Sequence, residues 1–253
     1  MDVARLLVRF TRPAGALLVG GLLLAGCSST QFGSQLSARP KPQAIRELES
    51  TTLRFPQSAP FAIALPRASK EAGLDGKADS DASAQPNGEA EVNASVTSSG
   101  KAEGLFQLGH AFANDTDRQM DLNVTVRFQC EFEAREEPDA RLPDASVGLR
   151  LYARDERGRI LRDIPLVDQS TENGTTQRQD NEDLHFTVTL GPGQSVDVFL
   201  AGQAKADIPS GRSASAKLKL RGLQFEVVTQ PAPPVQAATQ PLPPVQAASD
   251  GPK

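Results

Sequence analysis

The stretch from Leu122 to Phe132 constrains this chain more than any other. Leu122, Val124, Val126, Phe128, Cys130 and Phe132 alternate without a break with Asn123, Thr125, Arg127, Gln129 and Glu131. An apolar face that repeats every second residue does not belong to an amphipathic helix, whose stripe repeats near 3.6. The pattern predicts a long strand with one face in a core. It also puts the Cys130 thiol in that core, where apolar surroundings keep a thiol inert.

The same period recurs from Glu91 onward. Val92, Ala94 and Val96 share one parity, as do Phe106, Leu108, His110 and Phe112. Further strands are predicted at Val147–Ala153, at Ile160–Val167 with an end near Pro165, at Leu184–Leu190 and at Val196–Leu200. Leu218 and Leu220 are followed by Leu223, Phe225 and Val227, and the change of parity at Gly222 predicts a β-bulge. Turn chemistry stands between these runs, at Asp155-Glu156-Arg157-Gly158, Gly191-Pro192-Gly193 and Pro209-Ser210-Gly211. The expectation is an all-β chain. About eight half-polar strands over residues 91–228 make a single antiparallel β-sandwich, immunoglobulin-like or jelly-roll-like. A closed barrel would show the same alternation. A membrane barrel does not fit, because Arg127, Glu131, Arg150 and Arg154 lie on the outward parity.

A different signal occupies residues 1–29. Arg5, Arg9 and Arg12 precede an uncharged apolar run, Ala14–Leu24, of 11 residues. Spanning a bilayer takes about 20. Leu24-Ala25-Gly26-Cys27-Ser28 follows. This segment resembles the lipobox signal peptide of bacterial lipoproteins. The resemblance implies cleavage between Gly26 and Cys27 and a diacylglyceryl group on the Cys27 thiol. It also implies that the membrane is a partner through that lipid; two or three acyl chains anchor stably where one does not. Ser28 after the cysteine resembles lipoproteins sorted to an outer membrane, facing the periplasm or the cell surface.

The apolar content, 38%, is low for a globular chain, so part of the sequence is expected to lie outside the core. Residues 27–90 read as the lipidated cysteine, a tether and a low-complexity linker. Within them, Ala44–Glu49 suggests a helical turn, Thr52–Pro66 an extended edge segment, and 69–90 a disordered loop. Residues 229–253 read as a disordered, Pro-rich tail built on two copies of a decapeptide, TQPAPPVQAA and TQPLPPVQAA. Such a tail could dock on envelope proteins or peptidoglycan.

Few residues suggest chemistry. Asp115 and Asp117 in one acidic segment, and Asp168, Asp180 and Asp183 around another, are candidate Ca²⁺ ligands between strands. Arg150, Arg154, Arg157, Arg159 and Arg162 form a candidate basic patch around one hairpin. Of the two histidines, His185 is expected outside and His110 in the core or at its rim. No nucleophile elbow, zinc-protease motif, phosphate loop or dinucleotide fingerprint occurs. A formal net charge of −4 argues against nucleic acid as a partner. No catalytic residue and no cofactor beyond the covalent lipid on Cys27 is expected. The sequence therefore points to a lipid-anchored, exported binding or scaffolding module that is not an enzyme. A glycan-directed envelope hydrolase and a Ca²⁺-dependent surface module are the alternatives.

Overall fold

A long antiparallel ladder organises the computed structural model, which describes residues 39–137, 144–171 and 176–233. Its ten strands are β1 (Gln43–Ile45), β2 (Thr51–Phe55), β3 (Ile63–Ala72), β4 (Lys77–Gln85), β5 (Glu89–Asn114), β6 (Met120–Glu136), β7 (Ala145–Asp155), β8 (Ile160–Ser170), β9 (Thr176–Leu190) and β10 (Ser195–Pro231). The lipobox with Gly26 and Cys27, and residues 234–253 of the tail, lie outside the described residues. β5 and β10 pair from Ala113↔Ser195 to Ala90↔Leu220. The ladder slips register once, between Ile208 and Arg212. Pro209 has no N–H for a ladder, and Gly100 opposite takes φ 141°, open to a residue without Cβ. The Pro209-Ser210-Gly211 segment is thus a corner inside one strand, not a connection between two.

That corner folds the sheet on itself. In the first layer, the N-terminal half of β10 lies between the C-terminal half of β5 and β7, with β8 beyond β7. β3 and β1 flank β5 on its other side. In the second layer, the C-terminal half of β10 pairs with β6, and β6 with β9. β4 pairs with the N-terminal half of β5, and β2 with the end of β10. The layers come very close at two glycines. A Cβ on Gly104 would lie 3.0 Å from Val92 Cβ, and one on Gly202 would lie 2.8 Å from Leu218 and 2.1 Å from the Phe106 ring.

The chain is an all-β sandwich, as the alternation implies. The six alternating apolar residues of β6 are all buried, Cys130 among them. The bulge is present: the β10–β6 register slips between Arg221 and Gln224, and Gly222 takes φ +59°. Three expectations are corrected. Pairing is not wholly antiparallel, because β1 runs parallel to β5. Ala44–Glu49 is no helical turn, because Ala44 and Ile45 belong to β1. Residues 69–90 are not a disordered loop, because they contain the end of β3 and all of β4, each hydrogen-bonded along β5. The predicted Ile160 strand also runs through Pro165 to Ser170, along the edge of the first layer, where a missing N–H costs no ladder bond.

Candidate functional site

β1 and β2 border the two layers on the same side of the sandwich. Among the described residues, β1 pairs only with β5 and β2 only with β10, so each keeps an unpaired edge. Between them opens a cleft of about 600 Å³. The run Lys41–Glu47 forms one wall. Thr51, Leu53 and Thr229 of the second layer form the other, and His110 of β5 closes the back. Ile45 is buried and Leu53 partly so, which gives the cleft an apolar floor beneath a polar rim.

His110 has the inward parity of Leu108 and Phe112. Its ring stacks on Phe55 at 4.1 Å between centroids and tilts against Phe112 at 5.4 Å. The Ala62 N–H donates to its Nδ1 at 3.2 Å, which sets the proton of the neutral ring on Nε2. Burial alone pushes its pKa down to about 4, so the ring is uncharged at neutral pH. Glu47 is the single carboxylate of the lining, beside the cations Lys41 and Arg46. The Thr51 hydroxyl donates to Glu47 at 3.3 Å, and Arg46 approaches Asp115 at 3.6 Å. Hydrolysis of a glycosidic bond needs two facing carboxyl groups. This lining instead offers hydrogen-bond donors and acceptors, a neutral imidazole and two free strand edges, which suit holding a ligand.

The residues singled out in the sequence are placed elsewhere. Asp115 and Asp117 follow β5 at one end of the sandwich, Asp168 lies on β8, and Asp180 and Asp183 lie within β9. The acidic segment 180–183, expected between strands, is therefore mid-strand, opposite Cys130 to Arg127. Asp183 pairs with Arg127 at 3.1 Å and with His185 at 3.2 Å. Asp115, Asp117, Asp168 and Asp183 are not brought together. Among the described residues, no group of three or more His, Cys, Asp or Glu is placed to hold a metal.

The arginines do not form one open cationic surface. Arg150 is bound to Asp163 at 2.8 Å and Arg159 to Asp155 at 3.0 Å. Arg154 is buried, 3.4 Å from Asp197 and 5.1 Å over the Phe199 ring. Arg162 donates to the Leu161 carbonyl, and the Arg157 N–H donates to Asp155. The hairpin turn is as predicted: Asp155 accepts from the Arg157 and Arg159 N–H groups, and Gly158 takes φ +80°. His185 is exposed, as its parity implies.

A second buried polar group closes the corner end. Glu136 accepts from the Asp144 N–H at 3.0 Å and from the Thr171 hydroxyl. Arg212 lies 3.0 Å from the Asp144 carboxylate. Burial raises the Asp144 pKa, Arg212 opposes the rise, and Glu136 and Asp207 add to it. These contacts tie β6, β7 and β10 together where the chain turns between layers.

No family model and no curated protein matches this chain. Some solved structures share its β-rich architecture. One is infectious bursal disease virus, Gt strain, at 13% identity over 68% of this chain, with a TM-score of 0.23. The chain spans only 39% of that virus protein's length. Others are the CBM22-1 xylan-binding domain of Paenibacillus barcinonensis Xyn10C (12% identity, 65% of this chain, 87% of that one, TM-score 0.14) and the family 11 carbohydrate-binding module of Clostridium thermocellum (13%, 65%, 98%, TM-score 0.19). At TM-scores this low the likeness carries no functional weight.

Proposed function

We propose that this chain is an exported, non-catalytic binding module, held to a membrane by lipid on Cys27, whose β1–β2 cleft takes an extended peptide segment of an envelope protein. The cleft carries this reading. Its walls end in two unpaired strand edges, and a peptide strand laid between such edges gains main-chain hydrogen bonds from either. The polar rim and the small apolar floor supply side-chain contacts. The neutral His110 keeps the back of the cleft free of charge at the pH of the cell exterior. The anchoring half of the reading rests on Leu24-Ala25-Gly26-Cys27.

The test is in-cell crosslinking from a photoreactive residue at position 43, in chains with and without Leu53→Trp, which fills the cleft floor. A discrete protein adduct that disappears in Leu53→Trp supports the reading. An adduct indifferent to Leu53→Trp, or none at all, overturns it. Fractionation of Cys27→Ala tests the anchor separately: release from membranes is expected, and retention refutes it.

A further inference from the structure

His110 carries a second polar atom that the fold leaves unused. The neighbouring side chains of its parity on β5, Phe106, Leu108 and Phe112, are apolar and buried. The imidazole is itself only 5% exposed, with Phe55 stacked on it and Phe112 at its side. Nδ1 is taken by the Ala62 N–H, so the proton of the neutral ring sits on Nε2. Among the described residues nothing accepts that proton. Nε2 is not sealed from water either, and His110 lines the back of the β1–β2 cleft. A donor left unmet in the interior costs stability. One that faces a cleft is met by what the cleft holds.

Strand directions decide which part of a ligand meets this donor. β1 runs parallel to β5, and β2 runs antiparallel to β10, itself antiparallel to β5. β1 and β2 thus share one direction, and an extended segment between them meets both edges in the same sense. Its main-chain groups lie toward those edges, while alternate side chains stand out of that plane, toward the floor and back. The group that reaches Nε2–H is therefore a side chain. We propose that the cleft recognises a side-chain carboxamide, Asn or Gln, on its peptide ligand, whose oxygen accepts from His110 Nε2–H and whose NH2 group donates to the Thr51–Thr229 wall. This rests on the reading of the cleft as a peptide site and names what that site selects. The Thr229 hydroxyl lies 3.4 Å from the Thr51 carbonyl, and both threonine hydroxyls keep lone pairs for an N–H donor. A carboxylate fits less well. The neutral imidazole offers it no charge, and the cations Lys41 and Arg46 stand at the exposed rim, with Glu47 beside them. A hydrocarbon side chain leaves Nε2–H unmet.

Two variants separate this role from support of the Ala62 N–H. His110→Gln places an amide N–H near the position of Nε2 but gives up the Nδ1 acceptor. His110→Asn keeps an acceptor near Nδ1 but is too short to reach the cleft. Each is made in the full chain with the photoreactive residue at position 43, and the urea midpoint is measured beside the adduct yield. His110→Gln should hold the parent yield, and His110→Asn should lower it about tenfold, with both folded. Equal yields in the two variants overturn the proposal. So does the reverse order, which marks His110 as a support for Ala62 alone. Mass spectrometry of the parent adduct needs neither variant. Asn or Gln is expected within about three residues of the attachment point, ~10 Å along an extended segment, and a segment with neither rejects the carboxamide. An adduct that Leu53→Trp abolishes and position 110 leaves unmoved keeps the peptide reading and rejects only this inference. No adduct in the parent chain removes both.

Discussion

His110 fills a place where an apolar ring would pack against Phe55 and Phe112 equally well. The imidazole adds an acceptor for the Ala62 N–H, which a phenyl ring would leave unpaired. This acceptor has a pH consequence. The folded pKa of about 4 lies below the ordinary value of 6.5, so the unfolded chain takes up the proton first as pH falls. Stability is unaffected above pH 6.5, falls between 6.5 and 4, and levels off below. The loss is at most about 3 kcal/mol, less where water in the cleft meets the ring. His110→Gln should flatten this part of the profile, measured as urea midpoints from pH 7.5 to 4. An unchanged slope would show that other groups set it. The inward parity of His110 was legible in the sequence. The cleft behind it was not, because three residues of β1 give too short a run to show a period. Tyr152 shows the converse failure: its outward parity is correct, yet it is fully buried. The signal was available in Val198-Phe199-Leu200-Ala201, a continuous apolar run of the kind that marks a strand covered on both faces.

Among the elements, β3 and β4 depart most from their sequence. Residues 69–85 are rich in Ser, Asp, Lys and Ala, and nearly all of β3 beyond Leu65 is exposed. Polar composition was therefore a true sign of exposure but a false sign of disorder. The period is present in β4 once alanine counts as an apolar position. Ala78, Ala82 and Ala84 face the core, while Asp79, Asp81 and Ser83 alternate with them. Backbone pairing with β5 over nine residues, and the Lys70–Asp79 bridge at 2.9 Å to β3, hold β4 in place. Burial adds little, since a small side chain removes little area from water. Amides of 77–85 that bond to β5 should exchange at least about a hundredfold more slowly than coil, yet faster than those of β6, in hydrogen exchange followed by mass spectrometry. Coil-like rates across 77–85 would return the segment to a linker. β6 behaves oppositely: a strict alternation of large side chains made it legible from Leu122 to Phe132, short of both its ends.

On the scale of the molecule, β10 is the central strand of both layers. It lies between β5 and β7 in the first, and between β5 and β6 in the second. A chain ended after Ile208 keeps most of the first layer but leaves β6 and β9 without their neighbour. It should show no cooperative urea transition. A chain ended after Pro233 keeps every described pairing of β10 and should unfold at the full-length midpoint. A cooperative transition in the shorter chain would mean that the layers are separable. The sandwich class was readable from strand number and spacing. The corner was not, because Pro209-Ser210-Gly211 has the same composition whether a strand ends there or bends.

The place of β10 also fixes the order of events in time. Ala90 finds its partner in Leu220, about 130 residues later, and closing such a loop costs about 4 kcal/mol before any contact repays it. A chain read from its N-terminus thus holds the β3–β5, β4–β5, β7–β8 and β6–β9 pairs without the strand that joins them. The first layer cannot close until residues near 208 have been made, nor the second until residues near 231 have. The topology itself thus postpones completion of the fold until nearly all of the described strands have left the ribosome.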